Sequence, residues 1–188
     1  MKIASIIGST SHVTYIARLD DGDNVRDLFG SFVSVNVGNE TVVGVVSDSR
    51  LTNPELFRMS PRSESEHALS DVAGELQKSR QSLIAVLLLG TMADGFARQE
   101  LPRVVVPANT EVSLMDRELI RQFHTDATGG LMLHYLSGIM THAGGLGLPL
   151  AKYIIEQLSS DGNEAEQKRL NVLLRSIIWK YTFGESRF

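Results

Sequence analysis

The sequence contains no cysteine, so disulfides, thiolate nucleophiles and cysteine-ligated zinc or iron–sulfur sites are excluded. No stretch approaches the roughly 20 apolar residues that span a bilayer. The N-terminus shows no apolar segment followed by a small-residue cleavage site, and aromatic residues make up only 6% of the chain. We therefore expect a cytoplasmic protein without membrane contact, and its 188 residues suit one domain with an appendage.

A surplus of positive charge is also missing. The formal net charge is −4, whereas a wide nucleic-acid footprint needs an excess of Lys and Arg on one face. Arg98, Arg103, Arg117 and Arg121 form either a local basic patch or, in the interpretation that we prefer, solvated side chains on a strand edge and a helix face. Contact with duplex DNA is therefore expected to be weak, with a shallow salt dependence.

A phosphate-binding loop is a third absence. The Walker A pattern GxxxxGK[ST] is not present. Its nearest spacing, Gly90 to Gly95, continues with Phe96-Ala97 and lacks the lysine and the hydroxyl that contact phosphate and magnesium. A second glycine cluster, at 144–147, precedes a predicted helix, where it would be either a flexible turn or an anion-binding loop. We favour the turn, and we expect no cofactor.

Metal-binding and catalytic motifs are not found either. The five histidines, at positions 12, 67, 124, 134 and 142, fit no metal-ligand spacing, since His134 and His142 are eight residues apart and neither has an acidic residue at i+4. No serine lies in a GxSxG elbow. We interpret the histidines as structural or surface residues and assign no catalytic, cofactor-binding or metal-binding residue. A small enzyme with an unrecognised site stays an alternative, which a polar pocket holding His134 or His142 would favour.

What the sequence does contain is a series of strand patterns. Runs rich in β-branched and apolar residues predict strands over residues 2–9, 12–19, 31–37, 41–48 and 83–91. The tripeptide Gly-Asn-Glu at 38–40 predicts a tight hairpin turn, and Gly44 within a valine-rich run predicts the bulge or bend that small barrels need. Pro102 and Pro107 bracket a short run that suits only an edge strand or an extended connection.

The second half of the chain predicts helices instead. A capping box at Ser113 and Asp116 predicts a helix that the glycine pair at 129–130 ends. Apolar periodicity predicts two further helices, over residues 151–159 and 164–181. The stretch between the glycine pair and residue 149 shows no readable period.

These patterns together predict a fold that is mainly β with α. We expect a small antiparallel β-barrel over residues 1–112, with a helical insertion near 67–80 where apolar residues recur at helical spacing. An α-helical C-terminal segment follows over residues 113–188. Such a chain should fold as one cooperative unit.

The terminal helix carries a wide apolar face that a small barrel has little room to cover. This face needs a partner surface, either on the barrel of the same chain or on another subunit. We therefore expect a homo-oligomer or a protein partner. The residues of this candidate interface are Leu170, Leu173, Leu174, Ile177, Ile178 and Tyr181.

Six segments carry a resemblance to a known family. They are IASIIGST (3–10), FVSV (32–35), VVGVVSDSR (42–50), the strand and hairpin over 83–95, PANTEV (107–112) and the helix over 116–123. In these segments the chain resembles the barrel domain that HerA-type DNA translocases share with the catalytic subunits of rotary ATP synthases. The resemblance covers roughly the first two-thirds of the chain.

The resemblance implies a role in assembly. In that family the barrel builds the collar of a ring, guides DNA towards the central pore and docks a partner such as the NurA nuclease. The P-loop ATPase core that follows in the family has no counterpart here, so the resemblance implies no ATPase activity. We expect a non-catalytic assembly or adaptor module for a translocase or nuclease subunit. The alternatives are a stand-alone nucleic-acid-binding barrel, the small enzyme mentioned above, and one piece of a longer gene product.

The purified protein should neither bind ATP tightly nor hydrolyse it, because the sequence has no P-loop lysine and no magnesium-binding hydroxyl beside it. A phosphate-release assay measures the turnover, with substitutions of Gly144 and Gly147 as the test series. Turnover that survives these substitutions would reveal a non-standard site. Turnover that they abolish would make the glycine cluster a phosphate loop.

Overall fold

A computed structural model describes residues 1–20, 28–52 and 81–184. The strands in these ranges are β1 (Lys2–Ser9), β2 (Thr14–Leu19), β3 (Phe32–Val37), β4 (Glu40–Thr52), β5 (Gln81–Ala93), β6 (Phe96–Arg98) and β7 (Glu111–Leu114). The helices are α1 (Arg117–Phe123), α2 (Leu136–His142), α3 (Gly147–Asp161) and α4 (Glu164–Gly184), with a 3₁₀ turn (Gly144–Leu146) before α3. None of these helices is long and apolar enough to cross a membrane. The helix expected near 67–80 lies outside the described residues.

Six of the described strands form a closed antiparallel β-barrel. Their order is β2-β1-β7-β3-β4-β5, and the pairing of β2 with β5 closes the barrel. Strand β6 extends the sheet beyond β5. The longest pairing joins β4 to β5, from Thr41↔Met92 to Thr52↔Gln81. The predicted fold, a small antiparallel barrel followed by helices, is confirmed.

Glycines shape the β3–β4 hairpin at two points. Gly38 and Asn39 form the turn, and Gly38 has a φ of 61°, which is typical of the first turn position in a type II′ hairpin. At Gly44 the register of β4 against β5 shifts, and a Cβ there would lie 2.7 Å from Cγ1 of Val86. The predicted turn and the predicted bulge are both confirmed.

Apolar side chains fill both the barrel and a layer between its outer face and the helices. Because side chains alternate along a strand, Val33 faces the interior while Phe32 faces the helices. The interior contains Ala4, Ile6, Tyr15, Ala17, Leu19, Val33, Val35, Val42, Val46, Ile84, Val86, Leu88, Val106 and Val112. The outer layer includes Phe32, Val43, Val45, Leu87, Leu89, Phe123, Leu136, Ile139, Leu150, Ile154, Ile155 and Leu170. Burial on both faces explains why β5 reads as a continuous apolar run.

Helix α1 begins later than the sequence predicted. Ser113 does not cap a helix, because it lies in β7, where it pairs with Lys2 of β1 and Ser34 of β3. The cap is Asp116, whose Oδ1 accepts a hydrogen bond of 2.8 Å from the backbone N–H of Leu119. Pairing with two strands that are distant in sequence outweighs the local capping signal, and the last barrel strand extends beyond residue 112.

The helix ends also differ from the prediction. The glycine pair at 129–130 does not end α1, since the helix stops at Phe123. Helix α3 begins at Gly147, ahead of the predicted start at 151. The stretch before it, in which the sequence shows no readable period, contains α2 and the 3₁₀ turn. Helix α4 confirms the helix predicted over 164–181.

The segment between Pro102 and Pro107 is an extended connection that hydrogen bonds hold against the barrel. The backbone N–H of Val106 donates to the hydroxyl of the buried Tyr15 at 3.2 Å, and Nε2 of His12 lies 2.7 Å from the carbonyl oxygen of Pro102. Both contacts reach back to the region of β2. The sequence predicted either an edge strand or an extended connection for this segment, and the extended connection is confirmed.

Replacing Gly90 by alanine should destabilise the barrel by about 2 to 3 kcal/mol, since overpacking against backbone is poorly relieved. The added Cβ would overlap the carbonyl oxygen of Arg98 and lie 3.0 Å from Cα of Gln99. The matched control is Gly8→Ala, where nothing lies within 4 Å, and it should change stability by less than about 0.5 kcal/mol. Urea denaturation measures both, and equal losses would contradict the packing explanation.

Candidate functional site

The buried side chain of Gln99 joins the barrel to the helical segment. Its Nε2 donates to the carbonyl oxygens of Phe123 (2.9 Å) and Met132 (3.1 Å), and its Oε1 accepts from the N–H of His134 (2.8 Å). Gln99 directly follows β6. A buried amide that loses such partners is costly, so these three bonds hold the segment before α2 in one place.

A second buried contact holds the start of α2 from the side of α1. Nδ1 of His124 lies 2.6 Å from the carbonyl oxygen of Ile120, and its Nε2 lies 2.7 Å from the hydroxyl of Tyr135. A carbonyl only accepts, so Nδ1 carries the proton, and Nε2 of the neutral imidazole accepts from the tyrosine hydroxyl. His124 caps α1 and Tyr135 precedes α2, so this bond sets the position of one helix against the other.

Aromatic rings enclose the His124–Tyr135 pair. Phe32 and Phe123 pack edge-on against the imidazole, with centroid separations of 5.0 and 5.2 Å. Burial lowers the pKa of His124 to about 4, which the hydrogen bond to the Ile120 carbonyl partly opposes, and burial raises the pKa of Tyr135 well above its usual value. Both side chains are therefore neutral at neutral pH and form a hydrogen-bonded part of the outer layer.

Helices α2 and α4 form the walls of an open groove with a volume of about 720 Å³. This size falls within the range of binding pockets. From α2 and the residues before it, the lining comprises Leu133, His134, Leu136, Ser137, Met140 and Thr141. Helix α4 contributes Leu173, Ile177, Lys180 and Tyr181. The groove combines an apolar floor with a polar rim, and it is the candidate functional site.

The candidate interface of α4 is divided between the chain's own core and this groove. Leu170 is only 1% exposed and belongs to the outer layer. Leu173, Leu174 and Ile177 are half-buried against the same layer. The groove is lined by Leu173, Ile177 and Tyr181. The apolar stripe is therefore covered at its start and open towards its end.

The opposite side of α4 is exposed and also carries large apolar residues. Val172 and Trp179 are 68% and 66% exposed. They are seven residues apart and share one face, about 200° around the helix from Leu170 and Ile177. Ile178 lies nearer to Leu174, about 40° away around the helix, and is 38% exposed. We call the side marked by Val172 and Trp179 the outer face of α4.

The glycine cluster at 144–147 has a packing explanation. Gly144 has a φ of 55°, which a turn requires and which other residues rarely adopt. A Cβ on Gly147 would lie 3.2 Å from the carbonyl oxygen of Ile139 in α2, so glycine lets α3 begin close to α2. The other near-match to a phosphate loop, at 90–95, is the end of β5 and its hairpin turn to β6. Neither stretch needs a phosphate to explain its glycines.

The other three histidines that the structure describes are all on the surface. His12, His134 and His142 are exposed, and only His134 of these three lines the groove. His67 lies outside the described residues. Among the residues that the structure describes, no group of three or more His, Asp or Glu is placed to hold a metal ion. The buried His124 and the exposed histidines fit the interpretation as structural and surface residues.

The four arginines that could form a basic patch are all exposed. They are Arg98 on β6, Arg103 in the extended connection, and Arg117 and Arg121 on α1. Arg121 lies 4.0 Å from Glu118, and it lines a second depression of about 530 Å³ together with Glu118 and Asp126. Acidic side chains therefore interrupt the positive charge here, in agreement with the preferred interpretation of solvated arginines.

Three residues that position or line the groove had no specific signal in the sequence. Gln99 follows a strand as a single polar residue, Tyr135 lies in the stretch without a readable period, and Lys180 is one of several cations near the end of α4. Only Tyr135 could have been expected on general grounds to make a structural contact, since a buried tyrosine hydroxyl usually finds a hydrogen-bond partner.

A family model described as "Domain of unknown function (DUF8166)" matches residues 1–185. No curated protein matches the chain. Because the matched range contains the barrel, the helices and the groove, these parts belong to one family unit.

Acidification should destabilise the protein through His124. Its unfolded imidazole binds a proton below the usual pKa of 6.5, whereas the folded one does so only below about 4. Stability should therefore be lost as the pH falls from 6.5 towards 4, by about 3 kcal/mol in total. Chemical denaturation across this window measures the slope for the wild type and His124→Gln. The variant should be less stable at pH 7 and show a flatter slope, and parallel slopes would contradict this assignment.

Proposed function

The chain belongs to the DUF8166 family, and we propose that it is a non-catalytic assembly module that associates with further copies of itself through the outer face of α4. The proposal includes a relationship to the barrel of HerA-type DNA translocases. The observation that carries it is the exposure of Val172 and Trp179 on a helix whose other side already packs on the chain. Large apolar side chains aligned on one exposed face mark an interaction site.

The outer face is large enough to contribute to a specific contact. Helix α4 has 21 residues and is about 30 Å long. Each large apolar side chain that a contact removes from water contributes about 1.5 to 3 kcal/mol. Burial of Val172 and Trp179 therefore supplies several kcal/mol to whichever surface covers them.

Charge supports a second copy as the covering surface. Helix α4 carries four of the chain's 18 Lys and Arg and two of its 22 Asp and Glu, the latter being Glu164 and Glu166 in its first turn. The remainder of the chain holds the other 14 basic residues and 20 acidic ones. The basic helix of one copy is thus attracted to the acidic body of the next. A contact between two different surfaces is head-to-tail, and it closes into a ring where its rotation permits.

The family resemblance supports the same role. The segments that carry it fall on β1, β3, β4 and β5, on the residues that lead into β7, and on α1. In HerA-type translocases the corresponding barrel forms the collar of a ring. The proposal therefore includes a translocase or nuclease subunit as the neighbour of the assembly.

Single-stranded nucleic acid is a second candidate for the outer face. Lys168, Arg169 and Arg175 lie on the same helix as Trp179, and cations near an exposed aromatic ring are typical of surfaces that bind single strands. Fluorescence anisotropy with a labelled oligonucleotide at physiological salt distinguishes the two functions. Tight binding with a steep salt dependence would favour nucleic acid, whereas the assembly module should bind it weakly.

The assembly should dissociate when the outer face of α4 is made acidic. Light scattering should give the wild type a mass well above that of one chain, and Val172→Asp/Trp179→Asp the mass of a monomer. The reason is that a carboxylate is costly to bury at an apolar contact. Both positions are exposed, so the variant should fold, which circular dichroism checks.

The matched control is Phe96→Asp/Val105→Asp. It makes the same kind of change at residues that are 66% and 68% exposed elsewhere on the chain, and it should leave the mass unchanged. A wild-type protein that stays monomeric at high concentration would contradict the proposal. So would a control that dissociates the assembly as fully as the α4 variant does.

A further inference from the structure

We propose that the groove between α2 and α4 binds an acidic amphipathic helix of a partner protein. This inference rests on the proposed function, since it names a partner of the same module. It concerns a different surface, however, because the groove lies on the side of α4 opposite to the outer face. The two contacts can therefore be tested separately.

The shape of the groove fits a helix. Its two walls are themselves helices, and it is open to solvent. Along α4 the lining runs from Leu173 to Tyr181, which corresponds to about 12 Å of helix rise. This length matches two turns of a bound helix whose anchors recur at i, i+3 or i+4, and i+7.

The floor of the groove is apolar. Leu133, Leu136 and Met140 supply it from the side of α2, and Leu173 and Ile177 supply it from α4. Such a floor accepts the apolar face of an amphipathic helix. Met140 adds adaptability, because the unbranched thioether adjusts to the side chains that it meets.

The rim selects for negative charge. Lys180 and His134 are its basic groups, and none of the residues that line the groove is acidic. Arg169, which is four residues before Leu173 on the same helix, adds positive charge near this rim. A helix with Glu or Asp beside its apolar face is attracted to this rim, and one with Lys or Arg is repelled.

A small polar ligand fits the groove less well. Among the residues that the structure describes, the buried side-chain polar atoms without a hydrogen-bond partner are Oε1 of Gln157 and Oγ of Ser159, and neither residue lines the groove. A nucleic-acid strand would meet an apolar floor where it needs a track of cations. A helix uses both the floor and the rim.

Three synthetic peptides test the inference. Each has about 15 residues with leucines at helical anchor spacing, and they differ only in whether the polar positions are glutamate, glutamine or lysine. Fluorescence anisotropy is measured with the full chain. The glutamate peptide should bind at least roughly tenfold more tightly than the lysine peptide, because charge complementarity discriminates between partners.

Variants locate the binding site. Ser137→Trp fills the groove from an exposed position on α2 and should abolish binding. Lys180→Glu should weaken the glutamate peptide roughly tenfold and favour the lysine peptide. The matched control is Arg175→Glu, which makes the same charge change on α4 outside the groove lining. It should alter the affinity by less than about threefold, since solvent screens a charge that makes no contact.

Several results would overturn the inference. They are the absence of binding by all three peptides, equal binding of the glutamate and lysine peptides, binding retained by Ser137→Trp, and displacement of the peptide by a single-stranded oligonucleotide. If none of the peptides binds but the wild type still assembles, the groove inference alone is contradicted. If the wild type is monomeric but binds the glutamate peptide, self-association alone is contradicted. If Val172→Asp/Trp179→Asp is monomeric and still binds the peptide, both self-association and the groove inference are supported.

Discussion

Strands β4 and β5 are apolar on both faces, and the position of the helices follows from this constraint. Val43 and Val45 on β4, with Leu87 and Leu89 on β5, point away from the barrel interior and would meet water if the helices did not cover them. Burying a side chain of this size contributes about 1.5 to 3 kcal/mol. Covering this surface is therefore a large gain for the C-terminal half, and it makes the barrel and the helices one unit.

The groove arises where that covering layer ends. Leu170 reaches the outer layer, whereas Ile177 and Tyr181, farther along α4, line the groove. The other wall is α2, whose start is held by the hydrogen bonds of Gln99 and by the contact between His124 and Tyr135. These polar groups are buried and paired, so leaving either without its partner is costly. Two helical walls thus frame an apolar floor that is open among the residues that the structure describes.

Helix α4 presents two different surfaces and carries a net positive charge. Its outer face carries Val172 and Trp179, and its other side faces the groove. Both surfaces share the positive charge that α4 carries from Lys168 onwards, so both favour acidic partners. In the proposed function the acidic body of a second copy covers the outer face, and the groove stays accessible to another protein. In that proposal, self-assembly and the docking of a partner protein use different sides of α4.

The sequence by itself determined strands β1 to β5, the β3–β4 turn, the bulge at Gly44 and helix α4, because alternation, turn chemistry and helical periodicity are properties of neighbouring residues. Only the tertiary structure decided the start of α1, since Ser113 pairs with residues of two strands that are remote along the chain. The same holds for the groove. Gln99 bonds to groups 24 to 35 residues away, and no local period records which side chains meet across such separations. The tertiary structure likewise decided which part of the apolar stripe on α4 is covered. The covered part depends on where α2 and α3 pack, because burial is a property of the assembled layers.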